Sequence, residues 1–462
     1  MSQANPPQGL EPVEKLDLSS LPDRPRTLHN ALRLNIRGRS ISLRGFRRSP
    51  TGLLRWLLIL GPGLIASSAG NDAGGIATYS QAGAKLGYDL IWVMVLITVS
   101  LAVVQEMGAR LGAATGRGLL DLIREQFGIG WALLAMGILF VANSGIVVSE
   151  FLGIGAAAEL FGISKWLAVP VAAVLLWYLV IFGSYAWVEK IFLAMTLVFL
   201  AYPVAAVLAR PNWGEVARGA FIPTLRADPE YLFLLVALLG TTITPFMQLF
   251  EQSSNVERGV ARRHYGPERL DAYVGAIFAN LISITMIIAT AATLHQVGQT
   301  QIESAADAAR ALEPFAGNAA KTMFAIGLMG ASMLAGAVLP LATAYAVSEV
   351  FGTPKGVSLD FRRAPIFFGL FTGMILFGAV LSLIPNLPVI QWLVTVSMLN
   401  GVLLPIMLVF ILRLINDERL MGTLKNTRLY NILGWGTFIL ITTAVVTMLG
   451  SQVLSMLGII PR

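Results

Sequence analysis

The chain has 462 residues, a mean hydropathy of +0.72, 56% hydrophobic residues and only 13% charged residues. These values exclude an ordinary soluble globular protein, in which about a quarter of the residues are charged, and they predict a membrane protein. The absence of cysteine excludes disulfides, thiolate metal sites and thiol catalysis. The net charge of +7 does not indicate nucleic-acid binding, because the basic residues are distributed as membrane topology requires.

Residues 1–52 form a polar, proline-containing segment without the apolar core of a secretory signal. Within it, the stretch "RLNIRGRSISLRGFRRSP" carries six arginines. We expect a cytoplasmic basic arm that contacts anionic lipid, and we favour this role over binding of a regulatory partner.

Long apolar runs recur along the rest of the chain, and many are long enough to cross a bilayer as helices. They predict eleven spans, near 53–85, 88–112, 129–158, 164–183, 189–209, 231–254, 268–295, 319–350, 364–384, 387–414 and 430–457. Arginine and lysine are enriched in alternate loops, as is typical of cytoplasmic loops. The sequence therefore predicts a multi-pass inner (plasma) membrane protein with a cytoplasmic N-terminus and its C-terminus outside.

The first span is interrupted by "SSAGNDAGGIATYSQAG", residues 67–83, which contains several glycines, Asn71 and a single carboxylate, Asp72. An aspartate at mid-bilayer costs about 2.5–3.5 kcal/mol on insertion scales, so it commonly has a function or a partner. Unwound backbone is tolerated at that depth only where it lines a cavity within the protein. We interpret this segment as half of a binding site.

A second interruption lies in the sixth span, in "LLGTTITPFMQLFEQSSNVERG" at 238–259. There Thr241, Thr244 and a proline break the apolar run, and Gln248 and Glu251 follow. Each break begins a set of five spans, and an odd number of spans inverts the second set relative to the first. Paired breaks in two halves point to the substrate site of a transporter. Free carbonyl groups and a carboxylate near the midplane favour a cation. The alternative is that the glycines only permit tight helix packing, which leaves the buried carboxylate unexplained.

Several stretches resemble the NRAMP family of divalent metal transporters. "GPGLIASSAGNDAGGIATYSQAGAKLGY" resembles the family's first span, "MGARLGAATGRGLLDLIRE" its second span and the following loop, and "SEFLGIGAAAELFGI" its third span. "GTTITPF" resembles the sixth-span break, and "MGTLKNTR" resembles the loop before the eleventh span. The resemblance implies an all-α polytopic membrane protein with the LeuT-type fold, two inverted five-helix repeats plus an eleventh helix. We assign 53–210 and 211–415 to the repeats and 416–462 to the last loop and span.

The resemblance also implies a metal site, with departures. The family's ligands are an Asp and an Asn side chain, a Met sulfur and an Ala carbonyl, and the matching positions here are Asp72, Gly75, Thr244 and Thr241. A thioether favours transition metals, so its replacement by a hydroxyl removes the discrimination against hard cations. Loss of the Asn is expected to open space for water, and Mg²⁺ typically keeps several waters. The chain resembles the divergent branch of NRAMP-related magnesium transporters. We therefore predict transport of Mg²⁺, with Mn²⁺ also accepted, and no resident cofactor.

Proton coupling is predicted to be absent. The family's third-span Asp and Glu correspond to Val147 and Glu150, and its two sixth-span histidines correspond to Phe246 and Glu251. Neither valine nor phenylalanine relays a proton. The membrane potential alone supplies about 2.3 kcal/mol per charge per 100 mV, or roughly twice that for a divalent ion. Uptake therefore needs no proton.

Further polar residues are candidates for the ion path or for the surroundings of the site: Asn71, Gln105, Asn143, Glu150, Gln248 and Glu251. Gln105 matches a polar gate position of the family. Glu150, with Asn143 two turns earlier on the same helix face, either lines the cation path or makes an interhelical hydrogen bond through a protonated carboxyl group. Gln248 and Glu251 either form a vestibule or lie at a solvated cytoplasmic end. Asn400 of the tenth span is placed near the site to within one helical turn.

Three functional hypotheses remain open. The first is an uncoupled hard-cation importer that works by alternating access around the two breaks. The second is a proton-coupled Mn²⁺/Fe²⁺ importer of the main NRAMP branch, and the third is a LeuT-type carrier of an organic substrate. An enzyme is not expected, since the three histidines are scattered and the sequence lacks cysteine. The expected partners are the cation and membrane lipid, with no nucleic acid and no obligate protein partner.

Overall fold

The computed structural model describes residues 32–36, 39–43, 67, 69–182, 200–226, 228–257, 259–260, 262, 265–300, 302–313 and 317–456. The chain divides into two compact units, Met1–Leu58 and Ile59–Arg462. Most of the basic arm, the first span before Ser67, and 189–199 of the fifth span lie outside the described residues, as do His29 and His264. The predicted boundaries between the two repeats stay a prediction.

The first unit contains two antiparallel strands that the sequence analysis does not predict. Strand β1 (Leu32–Ile36) pairs with β2 (Arg39–Leu43), with Leu32 opposite Leu43 and Ile36 opposite Arg39. Apolar and polar residues alternate along "LRLNI" and "RSISL", which is the period of an extended strand. The interpretation of this stretch by its arginines alone overlooked that alternation.

The second unit is helical throughout the described ranges. Its first half contains α1 (Ala73–Leu86), α2 (Ile91–Thr115), α3 (Leu119–Phe127), α4 (Ile129–Leu160), α5 (Lys165–Phe182), α6 (Ala201–Leu208) and α7 (Trp213–Phe221). Its second half contains α8 (Pro229–Thr242), α9 (Pro245–Glu257), α10 (Tyr265–Thr290), α11 (Ala305–Ala309), α12 (Ala320–Phe351), α13 (Pro365–Ser382), α14 (Val389–Ile415), α15 (Glu418–Met421) and α16 (Arg428–Met456). A π-helical turn, Ala291–His295, extends α10, and short 3₁₀ segments occupy Arg310–Leu312, Gly317–Ala319 and Gly422–Leu424.

Nine helical segments of the described chain are long and apolar enough to cross a membrane. They match every predicted span except the first and the fifth, and their ends agree with the predicted ends to within three residues. In the two remaining spans, residues 53–66, 68 and 189–199 lie outside the described ranges. The prediction of a polytopic helical membrane protein is confirmed.

Both predicted helix breaks are present. Helix α1 begins only at Ala73, and α8 ends at Thr242 while α9 begins at Pro245, which leaves Ile243 and Thr244 unwound between them. Proline lacks an N–H and disfavours a helical conformation in the residue before it. Pro245 therefore starts a new helix instead of continuing α8.

Close backbone contacts fix the helices around the breaks. A Cβ at Gly240 in α8 would lie 2.1 Å from the Ser397 carbonyl oxygen and 2.2 Å from the Gly401 nitrogen, both in α14. Helices α2 and α9 approach similarly, since a Cβ at Gly112 would lie 2.9 Å from the Gln252 carbonyl oxygen. Helix α1 packs against α4, α8 and α14. These helices surround the start of α1.

We predict that Gly240→Ala destabilises the fold by about 1–3 kcal/mol, the usual cost of overpacking, because its methyl group collides with the backbone of α14. Gly436→Ala in α16 is the matched control, since a Cβ there has no described atom within 4 Å and alanine is the better helix former. Thermal unfolding in detergent, followed by size-exclusion chromatography, measures both. Equal melting temperatures would contradict the close approach of α8 and α14.

Candidate metal site

Asp72 lies at the start of α1 and is buried, with 2% of its surface exposed. Its backbone is extended (φ −67°, ψ −176°), and its Oδ1 accepts a hydrogen bond from the Gly75 N–H at 2.6 Å. Aspartate is a strong N-cap because its short carboxylate satisfies N–H groups that have no partner within the helix. The helix dipole in turn stabilises the negative charge. The carboxylate therefore both begins the half-helix and supplies the charge of the site.

A second carboxylate reaches the same helix end. Glu150 of α4 is fully buried, and its Oε2 accepts a hydrogen bond from the Ala73 N–H at 3.3 Å. Its Oε1 has no hydrogen-bond partner among the described residues. The sequence analysis missed this bond, although the signal was available: Ala73 stands where the resembled family has a proline, and alanine has the N–H that proline lacks.

Gly75 and Thr241, two of the predicted ligand positions, lie side by side. A Cβ at Gly75 would lie 3.2 Å from Thr241 Oγ1, 3.2 Å from Tyr79 Cε2 and 2.6 Å from the Gly70 carbonyl oxygen. The expectation that Gly75 leaves open space for water does not hold in this conformation, because the backbone and side chains of the breaks fill that space.

Helix α14 contributes Ser397, which the sequence analysis did not select. A Cβ at Gly74 would lie 3.0 Å from Ser397 Oγ and 3.3 Å from Asp72 Oδ1, so the hydroxyl and the carboxylate flank the same glycine. The residue expected near the site was Asn400, one turn later in the same helix. Asn400 is buried, and its Oδ1 has no hydrogen-bond partner within the described chain. The two residues lie one turn apart on the same face of α14, so only the axial position of the helix, which a single sequence does not fix, distinguishes them.

Thr244 lies in the unwound segment between α8 and α9. Its carbonyl oxygen accepts hydrogen bonds from the Met247 N–H at 3.2 Å and, with the Gln248 amide oriented to satisfy its hydrogen bonds, from Gln248 at 2.8 Å. The Thr244 hydroxyl is buried and has no partner in the part of the chain that the structure describes. Buried hydroxyls are nearly always paired. Because Thr244 Oγ1 has no partner among those residues, it is available as an oxygen ligand for a cation. Gln248 instead bonds the start of its own helix.

Two of the predicted path residues connect helices. The Asn71 amide donates to the Ala279 carbonyl at 3.1 Å, and its oxygen accepts from the Ser283 hydroxyl at 2.7 Å, both in α10. The Asn143 amide donates to the Thr343 hydroxyl of α12 at 3.0 Å. The structure therefore gives Asn71 a role in anchoring the first break, and it joins Asn143 to the neighbouring helix α12.

Gln105 and Glu251 form a second polar group that leads from the first break along α9. Gln105 Oε1 accepts a hydrogen bond from the Ser67 hydroxyl at 2.9 Å, and its side chain is also bonded to Glu251. Glu251 is 1% exposed, and Asp271 of α10 is close enough to interact with it electrostatically. The structure thus brings these two predicted residues together.

The donor set at the breaks is poor in charged ligands. No group of three or more His, Cys, Asp or Glu residues that could hold a metal ion occurs among the described residues. His295 is engaged elsewhere, with its Nδ1 at 2.9 Å from the Ala84 carbonyl oxygen. A cation at the breaks would meet the Asp72 carboxylate and mainly neutral oxygens.

A cavity of about 620 Å³ lies between α1, α8 and α14 at one end of the helix bundle, which we call the vestibule side. Its polar lining includes Gln81, Glu230, Glu303 and Gln391. Val394 in its wall precedes Ser397, beside the break, by about one turn of α14. The cavity thus approaches the candidate site from the vestibule side.

Comparison with known proteins finds close relatives. The family described as "Natural resistance-associated macrophage protein-like" (Nramp) matches residues 63–451. The divalent metal cation transporter MntH of Ralstonia nicotianae is 32% identical over 432 residues, which cover 87% of this chain and 93% of the relative. The crystal structure of the Eremococcus coleocola manganese transporter, in complex with an aromatic bis-isothiourea substituted compound, has a TM-score of 0.67 at 20% identity and covers 89% of this chain and 91% of its own. The nucleobase-cation-symport-1 family transporter Mhp1 has a TM-score of 0.51 at 14% identity, with coverage of 85% and 90%.

The two solved structures confirm the predicted LeuT-type fold, and their low identity limits them to that conclusion. The relative from Ralstonia is named as a divalent metal cation transporter, and the expectation that the protein is not an enzyme agrees with that name. The family match covers most of the chain, and it confirms the resemblance to the family. The chain therefore belongs to the Nramp family.

Proposed function

We propose that this chain is a carrier that imports divalent metal cations, prefers Mg²⁺, also accepts Mn²⁺, and moves no protons. The observation that carries the proposal is the donor set at the two breaks. It consists of the buried carboxylate of Asp72, with that of Glu150 at the same helix end, beside the neutral oxygens of Thr241, Thr244 and Ser397. Oxygen-only sites with one or two carboxylates suit Mg²⁺, which dehydrates reluctantly and retains waters.

The hydroxyl of Thr244 supports a hard cation. Its oxygen is buried without a hydrogen-bond partner in the described chain, so a cation or a cation-bound water would satisfy it. Hydroxyl and carbonyl oxygens favour Mg²⁺ and Mn²⁺, whereas soft thioether and thiolate ligands favour softer metals. A thiolate is excluded by composition, since the chain has no cysteine.

The apolar residues at two positions where the resembled family carries titratable side chains support uncoupled transport. Val147 and Phe246 are both fully buried apolar residues, and a Cβ at Gly378 would lie 2.5 Å from Val147 Cγ1, so Val147 packs tightly against α13. Neither side chain has a group that can bind and release a proton. Glu150 itself is bonded to the backbone at the start of α1. The electrical driving force on a divalent cation, roughly 4–5 kcal/mol at 100 mV, suffices for import.

The charge distribution supports an orientation in an inner (plasma) membrane. Opposite the vestibule side, the helix ends and loops carry Arg117, Arg124, Lys355, Arg413 and Lys425. Positive loops are typical of the cytoplasmic face. In the proposed orientation this basic side faces the cytoplasm, the N-terminus is cytoplasmic and the vestibule opens outside.

A second candidate is a proton-coupled carrier of Mn²⁺, and one contact favours it. The methyl carbon of Met247 lies 2.1 Å from the position that a Cβ would take at Gly70, so a thioether side chain packs directly against the first break. Thioethers bind transition metals in preference to Mg²⁺. The comparison protein from Eremococcus is named a manganese transporter.

Substitutions at Thr244 test the ligand assignment. We expect Thr244→Val, which keeps the shape and removes the hydroxyl, to raise the KM for Mg²⁺ about tenfold, as expected for a lost bond to a charged group. Thr244→Met adds a soft donor and should shift the preference from Mg²⁺ toward Mn²⁺. Restoring an asparagine at Gly75 is a poorer test, because its Cβ would collide with the Gly70 carbonyl.

The measurement is uptake of each ion into proteoliposomes. Thr442→Val in α16 is the matched control, because it also removes a buried hydroxyl that has no partner in the described structure. An unchanged Mg²⁺-to-Mn²⁺ ratio in Thr244→Met would show that Thr244 is not a ligand.

Substitutions at Glu150 separate the two candidates. If Glu150 only accepts the Ala73 N–H, Glu150→Gln should keep most of the transport rate, because its amide oxygen still accepts that bond. Glu150→Met should lose much of it. Ala73→Pro removes the N–H that donates this bond. In that background, Glu150→Met should lower the transport rate little further than Ala73→Pro alone, because both changes remove the same bond. Proline is compatible with the first position of a helix.

Transport of Mg²⁺ and Mn²⁺ is again the readout. Loss of transport in Glu150→Gln as severe as in Glu150→Met would indicate that the carboxyl proton matters, and would favour the proton-coupled candidate.

A further inference from the structure

Two groups of helices are distinguished within the second unit, and α14 packs on members of both. Helices α1, α2, α8, α9 and α10 pack on one another and contain both breaks, and we call them the break bundle. Helices α4, α5, α12 and α13 also pack on one another, and α3 packs on α4 and α12. We call these five helices the scaffold. In carriers built from inverted repeats, alternating access is largely the rocking of one bundle against the other around a fixed site.

Glu349, near the end of α12 on the basic side, is fully buried. Its Oε2 accepts a hydrogen bond from the Leu120 N–H at 3.0 Å, at the start of α3. The Lys355 ammonium lies 3.4 Å from Oε1 and also pairs with Asp121. These partners all belong to the scaffold or to the loop that follows α12, so they fix the carboxylate there and balance its charge.

The same carboxylate bonds the break bundle. Its Oε1 accepts a hydrogen bond from the Ser253 hydroxyl of α9 at 2.8 Å. Two further hydrogen bonds also join α9 to α12 and to the loop that follows it. Glu257 of α9 accepts them from the Tyr345 hydroxyl and, at 2.8 Å, from the Ser358 N–H. The basic end of α9 is therefore held against α12 by carboxylates contributed from both sides.

We propose that Glu349 is a positioning residue of the transport cycle, which through Ser253 holds α9 against the scaffold and keeps the basic side closed while the vestibule side is open. The proposal rests on the carrier function proposed above. Opening of the basic side requires α9 to leave α12, and the Ser253–Glu349 bond is broken in that movement. After it breaks, Glu349 keeps Leu120 and Lys355, so no buried charge is left unpaired, which would be far more costly. The contact is thus suited to repeated opening.

Ser253→Ala removes the bond and leaves the scaffold partners of Glu349 in place. Because the chain lacks cysteine, single cysteines report accessibility without further changes. Ser254→Cys, at a buried position of α9, reports opening of the basic side, and Thr395→Cys, in the vestibule wall, reports the other side. The rates of modification by a water-soluble maleimide are measured on the full chain in detergent.

With Ser253→Ala we expect Ser254→Cys to react about tenfold faster or more, the effect of one hydrogen bond to a charged group, and Thr395→Cys to react more slowly. Ser253→Thr, which keeps the hydroxyl, should restore both rates. Ser348→Ala is the matched control, since this neighbouring buried hydroxyl has no partner among the residues described. A merely structural role of Ser253 would not move the two reporters in opposite directions.

Reporter rates in Ser253→Ala that equal those in Ser348→Ala would overturn the proposal. So would acceleration of both reporters together, because that is the signature of general loosening. Failure of the proposed carrier function would appear separately, as absence of Mg²⁺ and Mn²⁺ flux by the wild type, since the labelling rates require no transport.

Discussion

The structure depends on how the backbone N–H groups at the start of α1 are satisfied inside a membrane. Lipid offers them no acceptor, and a helix that begins at mid-depth leaves its first turn unpaired. Asp72 Oδ1 accepts the Gly75 N–H, and Glu150 Oε2 accepts the Ala73 N–H. The break therefore exists because two buried carboxylates stabilise it. The carboxylates are in turn stabilised by the helix end, and the close packing of α8 on α14 keeps lipid away from both.

This arrangement has a consequence for ion chemistry. A carboxylate that is already partly used by backbone donors is a weaker ligand than a free one, and the oxygens near it, those of Thr241, Thr244 and Ser397, are neutral. Such a site offers modest direct coordination, and it suits an ion that brings part of its own water shell. The soft ligand near the break that would select a transition metal over Mg²⁺ is then the thioether of Met247. Its contact with Gly70 is the main argument for a transition metal. The proposed preference for Mg²⁺ and the competing one for Mn²⁺ thus differ in which of two adjacent side chains faces the ion.

The sequence predicted the architecture well because the bilayer constrains the length of each apolar segment, the charge of the loops and the places where a helix can be interrupted. All three features can be read locally from the sequence. It placed Asp72, Gly75 and Thr241 together through the resemblance, and these positions do adjoin one another. It missed Ser397 because the position of α14 along its axis is fixed by packing at Gly240 and Gly401, which no single-helix pattern contains. It misjudged Gly75 because the space around a glycine is decided by distant backbone, here the Gly70 carbonyl. The strand pair in the N-terminal unit was not predicted, although apolar and polar residues alternate along both strands.

The most direct test of the central claim is simultaneous measurement of Mg²⁺ uptake and internal pH in proteoliposomes held at an inside-negative potential without a pH gradient. The account predicts Mg²⁺ uptake that is abolished by Asp72→Ala and is accompanied by no acidification. Mn²⁺ uptake with internal acidification and no Mg²⁺ flux would contradict it, and would assign the chain to proton-coupled transition-metal transport.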